Sequence, residues 1–266
     1  MNTQRLDHLF LASKIIEQDG IDGLESAAKL VDKQIAVAFL VAYTRRNLGS
    51  AKSYPANPEI DEKVKQLLLN NNLFEINSFQ DKYRFLSSFW FTDVVFEDIT
   101  YPSVEHAYQA AKSGNIEMQK KIAFMTTPEE AKLESQKPGF PIRAGWKEMK
   151  MDVMEDLIRQ KFSVNNPGLA YQMYLTWDLP LKEGNTWEDT FWGEYNGEGE
   201  NNLGKLLMKR RSDIVSLVQY FKNLGRRFNK IGFDNFHDKI NEYLVDDEAI
   251  TKKSTLIWLQ TLGITY

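Results

Sequence analysis

The hydrophobic pattern of this 266-residue chain is helical almost throughout and changes character in one place. From Phe79 onward, and above all in YRFLSSFWFTDVVFEDITYPS at 83–103, aromatic and β-branched residues crowd into short runs separated by turn residues. Such runs favour strands or extended loops. One short region of that kind cannot supply a large sheet. The expected fold is therefore mainly α, an α+β protein with a small β component.

The segment that follows, YPSVEHAYQAAKSG, reads as a helix with Pro102 before it and Ser103 as its N-cap. Val104, Ala107, Tyr108 and Ala111 fall on one apolar stripe, while Glu105, Gln109 and Lys112 recur at four and three residues on another face. Glu105 is then in the first turn, with Lys112 about two turns below. His106 adjoins the apolar stripe, where a lone histidine is more often a satisfied packing residue than a catalyst. TTPEEAKLESQ repeats the punctuation: Thr127 caps, Pro128 takes the first helical position and Glu130 completes a capping box. RAGWKEMK leads into MDVMEDLIRQKF, whose core stripe is Met149, Val153, Met154, Leu157, Ile158 and Phe162. Further helices are expected at 168–175, 203–211, 213–222, 237–244 and 247–260.

Upstream, residues 1 to about 47 carry helical spacing, GSAKSYPANPEI at 49–60 reads as a linker, and DEKVKQLLL as a short helix. The expected organisation is a helical N-terminal extension over 1–75, packed on a core over 76–214, with a helical C-terminal extension over 215–266.

Charge and composition narrow the function. The 33 basic and 37 acidic residues give a formal charge of −4, so the whole molecule is no polycation, yet eight basic residues lie between Lys205 and Lys230 against the single acid Asp213. Cysteine is absent and the three histidines are far apart, which removes thiolate ligands and makes a histidine metal centre improbable. IAVAFLVAY, at 35–43, is about half a membrane span, and the opening residues are too charged for a signal peptide. A soluble cytoplasmic protein follows as the expectation, with no metal, no cofactor and no membrane partner.

The loop LKEGNTWEDTFWGEYNGEGENNLGK, 181–205, does not read as ordinary surface. It combines Trp187, Phe191 and Trp192 with Asn185, Asp189 and five glycines. Aromatic faces on a glycine-rich frame suit a planar ligand; the plain alternative is a long loop folded back on the core by its tryptophans. The EF-hand ligand spacing is missing from EYNGEGENN. With Glu105 at a helix start, Asp189 in this loop and Trp146 after PIRAG, two carboxylates and aromatic platforms suit cleavage of a bond between a sugar and a flat base. One carboxylate stabilises the cationic sugar and the other activates water.

In order, YRFLSSFW, YPSVEHAYQAAK, RAGWKEMK, Asn166-Pro167 and LKEGNTWEDTFWG resemble the signature segments of the YbiA-like family, also called NADAR domains, across residues 76 to 214. The resemblance implies a compact, mostly helical domain and an N-glycosidase. Relatives act on ribosyl–base bonds of early riboflavin-pathway intermediates, or remove ADP-ribose from guanine in DNA and pair as antitoxins with ADP-ribosyltransferase toxins. It carries functional roles onto Glu105, Trp146 and Asp189, and motif-bound polar positions onto Lys112 and Asn185. Many relatives have threonine-glycine-aspartate before the EGN block; this chain has Thr176-Trp177-Asp178, with tryptophan replacing glycine.

The resulting expectation places Glu105, Asp189 and Lys112 in the chemistry, Lys112 as a phosphate contact or as an amine attacking the opened sugar. Trp146, Asn185, Trp187, Trp192, Arg84, His106, Arg210 and Arg211 are expected around the substrate, with the Lys209-Arg210-Arg211 run holding a phosphate or a DNA backbone. The leading substrate is ADP-ribosylated guanine, as a nucleotide or in single-stranded DNA. A ribosylamino-pyrimidine phosphate is the alternative, and a non-catalytic ADP-ribose-, nucleotide- or partner-binding module is the reading from another class.

Overall fold

A computed structural model of the protein describes residues 75–176, 179–244 and 248–264, together with isolated positions 15, 18, 19 and 26. The linker at 49–60, the DEKVKQLLL helix, nearly all of the N-terminal helical segment and Trp177-Asp178 lie outside the described residues. The chain divides into two compact units, residues 1–76 with 175–180 and residues 77–174 with 181–266. Everything below concerns the second unit.

Its β component is a hairpin of β1 (Phe91–Phe96) and β2 (Ile99–Ser103), paired antiparallel with Val94 opposite Tyr101 and Phe96 opposite Ile99. Glu97 and Asp98 form the two-residue turn, both at positive φ, a backbone whose twist matches that of the strands. Val94 and Tyr101 face the core, whereas Phe91 and Val95 face out. β2 passes directly into α1 (Val104–Ala111): Ser103 is extended and its hydroxyl accepts the His106 N–H at 3.2 Å. The cap expected from sequence is the cap observed.

The expected two-faced character of α1 is not. All eight of its residues are buried, Glu105 and Gln109 included. The hairpin, α2 (Ile116–Ala123), α3 (Pro128–Ser135) and α4 (Trp146–Lys161) all pack against it. The polar face of α1 is thus turned toward protein, where each polar atom needs a partner. α3 has the capping box read from sequence, with the Thr127 hydroxyl accepting from Glu130 N–H at 3.2 Å.

On α4, Val153, Met154, Leu157 and Ile158 are buried, as is Phe162 just beyond its end, each such side chain contributing about 1.5–3 kcal/mol; Met149 is only partly covered. Lys161 is the surprise. A lysine in a last helical turn reads as solvated, yet this one is fully buried and donates to the Ser87 carbonyl at 2.6 Å. Burial holds its ammonium well below the usual lysine range, and the charge of Arg84 lowers it further.

After α5 (Pro167–Tyr174) the glycine-rich loop carries a parallel pair, β3 (Gly184–Asn185) with β4 (Glu194–Tyr195). α6 (Asn202–Gly225), α7 (Phe228–Tyr243) and α8 (Lys252–Thr261) complete the unit. The two helices expected at 203–211 and 213–222 are one. Leu207, Ile214, Val218 and Phe221 continue a single buried stripe across Ser212, so the charged run KRRSD does not interrupt it. α7 contains a kink at Gly232, where φ is 73°. Phe221, Phe236 and Trp258 gather α6, α7 and α8, and the Trp258 indole donates to the Val164 carbonyl at 2.9 Å. No helix among the described residues is long and apolar enough to cross a membrane.

Candidate active site

Glu105, Tyr108, Gln109 and Lys112 project from one side of α1, at helical spacings of three, four and seven. Glu105 is held at both ends. Its N–H donates to the Ser88 carbonyl at 3.0 Å, and the Ser88 hydroxyl donates back to Oε2 at 2.8 Å. Gln109 Nε2 donates to Oε1 at 2.6 Å. Both carboxyl oxygens act as acceptors, the arrangement that suits a carboxylate. The chain of bonds continues: the Ser135 hydroxyl donates to Gln109 Oε1 at 2.5 Å, and Lys112 Nζ donates to Ser135 at 3.3 Å. Burial pulls the Lys112 ammonium below its ordinary pKa, the negative charge of Glu105 opposes this, and Lys132 adds to it.

Tyr108 connects this helix to both tryptophan segments. Its ring lies 5.2 Å from Trp146 and 5.4 Å, edge-on, from Trp192. The Trp192 indole donates to the Tyr108 hydroxyl at 3.1 Å. Burial raises the phenol above its ordinary pKa despite that hydrogen bond, and Glu105 and Asp189 raise it further. The tyrosine therefore stays neutral.

In the loop, Asn185 is a staple. Its Nδ2 donates to the carbonyls of Asp189 and Glu194 at 2.8 and 3.1 Å, while its Oδ1 accepts from the N–H groups of Trp187 and Asp189. Asp189 Oδ1 accepts from Phe191 and Trp192 N–H at 3.1 and 2.9 Å. One oxygen of Asp189 is thus committed to shaping the loop. Oδ2 has no hydrogen-bond partner among the described residues.

Two of the loop glycines are required by the loop's own backbone. A Cβ on Gly193 would sit 2.1 Å from the Glu183 carbonyl oxygen, and one on Gly204 2.1 Å from that of Leu181. Asn201 closes the same crossing, accepting from Glu183 N–H at 3.0 Å and donating to the Leu181 carbonyl at 2.9 Å. Backbone approaching backbone accounts for Gly193 and Gly204. Gly193→Ala is accordingly expected to lower stability by roughly 1–3 kcal/mol, the range for forced overpacking. A denaturant melt shows this, and an unchanged midpoint would count against so tight a crossing.

That crossing positions a residue the sequence reading passed over. Burial raises the Glu183 carboxyl to about 8, the charges of Asp189 and Glu105 add to this, and Lys132 opposes it. Glu183, Asp189 and Glu105 therefore form one electrostatic cluster. With five glutamates in the loop, composition could not single out the one whose carboxyl is desolvated. Among the described residues, no group of three or more histidines, cysteines or acids is arranged to hold a metal.

Other candidates have different surroundings. Trp187 is half exposed. Arg84 donates to Gln80 at 3.0 Å and lies over Phe89. His106 is fully buried, its Nδ1 paired with the Ser103 hydroxyl at 2.7 Å and its ring beside Phe91, and burial lowers its pKa. It belongs to the strand–helix junction. Arg210, expected at a phosphate, is engaged elsewhere: its guanidinium donates to the Phe162 carbonyl at 2.9 Å and to Glu248 at 2.6 Å. That makes it a strut between α6, the end of α4 and the segment before α8. Arg211 is buried on the same helix. Of the remaining basic zone, Lys209 pairs with Glu155 and Lys222 with the Tyr174 hydroxyl.

Fold and site together define a small α+β domain with an acidic, tryptophan-walled centre. Residues 74–215, more than half of the chain, match the NADAR domain, and the chain belongs to that family. It is 32% identical over 141 residues to a riboflavin biosynthesis protein of Vibrio vulnificus, covering 53% of this chain and 38% of that protein. It is 36% identical over 137 residues to the chloroplastic riboflavin biosynthesis protein PYRR of Zea mays, covering 47% and 22%. Against the N-glycosidase YbiA of Escherichia coli K12 it is 28% identical over 151 residues, covering 56% of this chain and 93% of that one. The match thus spans well under half of the two riboflavin proteins and nearly all of YbiA. The NMR structure of the E. coli protein YbiA aligns with a TM-score of 0.47 and 29% identity, over 53% of this chain and 83% of that one.

Proposed function

We propose that the chain is an N-glycosidase that hydrolyses a ribosyl–base bond. What supports this is the hydrogen-bonded Glu105 carboxylate on α1, one turn from a Tyr108 whose hydroxyl accepts from Trp192, itself bonded to Asp189, with the charges of Glu105 and Asp189 both acting on Glu183. Cleavage of the C–N bond leaves positive charge on the anomeric carbon and ring oxygen, and a fixed Glu105 carboxylate stabilises it. Glu183, neutral near pH 7, gives its proton to the departing base nitrogen. Asp189 Oδ2 takes a proton from the water whose oxygen bonds to the sugar. Water has then been added across the bond, and a proton passing from Asp189 to Glu183 restores the starting state. The similarity to N-glycosidases named YbiA supports the reaction type.

Two substrates contain the required bond: ADP-ribosylated guanine in DNA and a ribosylamino-pyrimidine phosphate. The riboflavin names of the relatives favour the second. So does the buried engagement of Arg210 with Glu248 and the Phe162 carbonyl, which takes it from any DNA backbone grip. The test is release of free base by the purified chain from each compound, with and without EDTA. Turnover of the pyrimidine phosphate is expected to exceed that of the modified oligonucleotide and to survive the chelator, because the three roles above use protein carboxyls. No release from either substrate would leave a binding module. Loss in EDTA restored by a divalent ion would overturn the acid–base scheme.

A further inference from the structure

Beside the carboxylate cluster, cations and rings alternate. Arg84 lies over the Phe89 ring at 5.8 Å; Lys132, from the last turns of α3, lies 5.8 Å from the same ring and 5.3 Å from Trp187. Lys132 differs from its neighbours in what it meets. Lys121 and Lys137 both bind Glu134, at 2.7 and 2.6 Å, and Lys120 binds Glu117. Among the described residues Lys132 has no such carboxylate, only the two ring faces. Arg84 has one acid near, Glu129, at 4.0 Å, the outer limit of an ion pair. The position is also next to the chemistry, since the Lys132 charge acts on both Glu183 and Lys112.

Two cations set against one ring repel each other, and an anion that reaches both relieves that repulsion. A phosphate supplies that anion: it accepts from a guanidinium fork and an ammonium together. Phe89 and the half-exposed Trp187 provide the apolar faces against which the two cations lie. Both cations come from helical elements, Arg84 from the 3-10 helix Asp81–Leu86 and Lys132 from α3.

We propose that Arg84, Phe89, Lys132 and Trp187 form a phosphate subsite at the rim of the carboxylate cluster, taking a phosphate ester carried on the ribose of the ligand. This deepens the glycosidase reading and rests on it for the ribose. The 5′-phosphate of a ribosyl metabolite and the pyrophosphate of ADP-ribose share this chemistry, and the probes below separate them.

The experiment is calorimetric binding of ribose, ribose 5-phosphate and ADP-ribose to the full chain, as wild type, Lys132→Ala, Lys132→Arg and Arg84→Ala, with melting temperatures recorded. A charge-assisted phosphate contact predicts that wild type binds ribose 5-phosphate at least about tenfold more tightly than ribose. Lys132→Ala and Arg84→Ala should each remove most of that difference without changing ribose, and Lys132→Arg should retain it. A Lys132 effect on ADP-ribose alone would support the subsite and assign it to the pyrophosphate. Equal affinity for all three probes, or Lys132→Ala binding both phosphorylated probes like wild type while folded, would overturn it. No bond is cleaved in this assay. Lys132-dependent binding without any base release would remove the glycosidase and keep the subsite, whereas base release indifferent to Lys132 would do the reverse.

Discussion

Replacing Glu105 with glutamine is expected to leave the fold intact and lower the rate of base release about 10²- to 10³-fold, the loss typical of one active-site electrostatic contribution. Glutamine keeps the length and planarity of the side chain. One oxygen still accepts from Gln109 or Ser88, and the Ser88 hydroxyl can turn to accept from the new amide. What disappears is the negative charge facing the developing ribosyl cation. Since that charge matters most in the transition state, kcat should fall far more than KM rises. A second readout follows from Lys112, whose pKa Glu105 raises against burial. Without that charge the Lys112 pKa should drop further, moving its titration to lower pH. The measurement is a pH–rate profile beside a thermal melt. A folded variant turning over at wild-type rate would reduce Glu105 to a buried helix-start residue.

How much of this was legible in the sequence differs from element to element. Caps were legible because they are local: Ser103, Thr127 and Glu130 satisfy nearby N–H groups, and spacing along the chain is the whole of that chemistry. The α4 stripe was legible for the same reason, each buried residue recurring at helical period. The helix break expected near Ser212 is absent because the buried stripe of α6 runs on beneath the charged KRRSD run. Lys161, Arg210 and Glu183 were misjudged or missed alike, and for one physical reason. The burial of a charged side chain is decided by partners 74, 48 and 38 residues away for the first two, and the Glu183 carboxyl is raised by burial and by charges that include Glu105 of α1. No window of sequence contains those partners. Of the site, Glu105, Trp146, Asp189 and Trp192 could be picked out because they stand in distinctive segments. The hydrogen-bonded chain from Ser88 through Gln109 and Ser135 to Lys112 joins three separate segments, and only folding brings them together.

Glu183→Gln is expected to separate the proton donor from the rest of the site by pH. In the wild type the carboxyl is raised to about 8, by burial first and then by Asp189 and Glu105. Unfolded, it would titrate near the ordinary glutamate value of about 4.3. Between those values the native state keeps a proton that the unfolded state has lost. Unfolding therefore releases a proton, and the stability contributed by the protonated carboxyl, complete below about pH 4, declines as pH rises through about 8. The decline from this group is at most roughly 1.4 kcal/mol per pH unit. Glutamine cannot titrate, so the variant should melt higher than wild type at pH 8 and lose that advantage progressively toward pH 5. Activity should move the other way. Wild-type kcat should fall above about pH 8 as the donor loses its proton. The variant should be about 10²- to 10⁴-fold slower at neutral pH, the usual contribution of a placed acid, with that falling limb gone. Melts and rate profiles over the same pH range decide the matter together. Parallel melting curves would mean that Glu183 is an ordinary carboxylate, and an unchanged limb would assign the departing proton to another group.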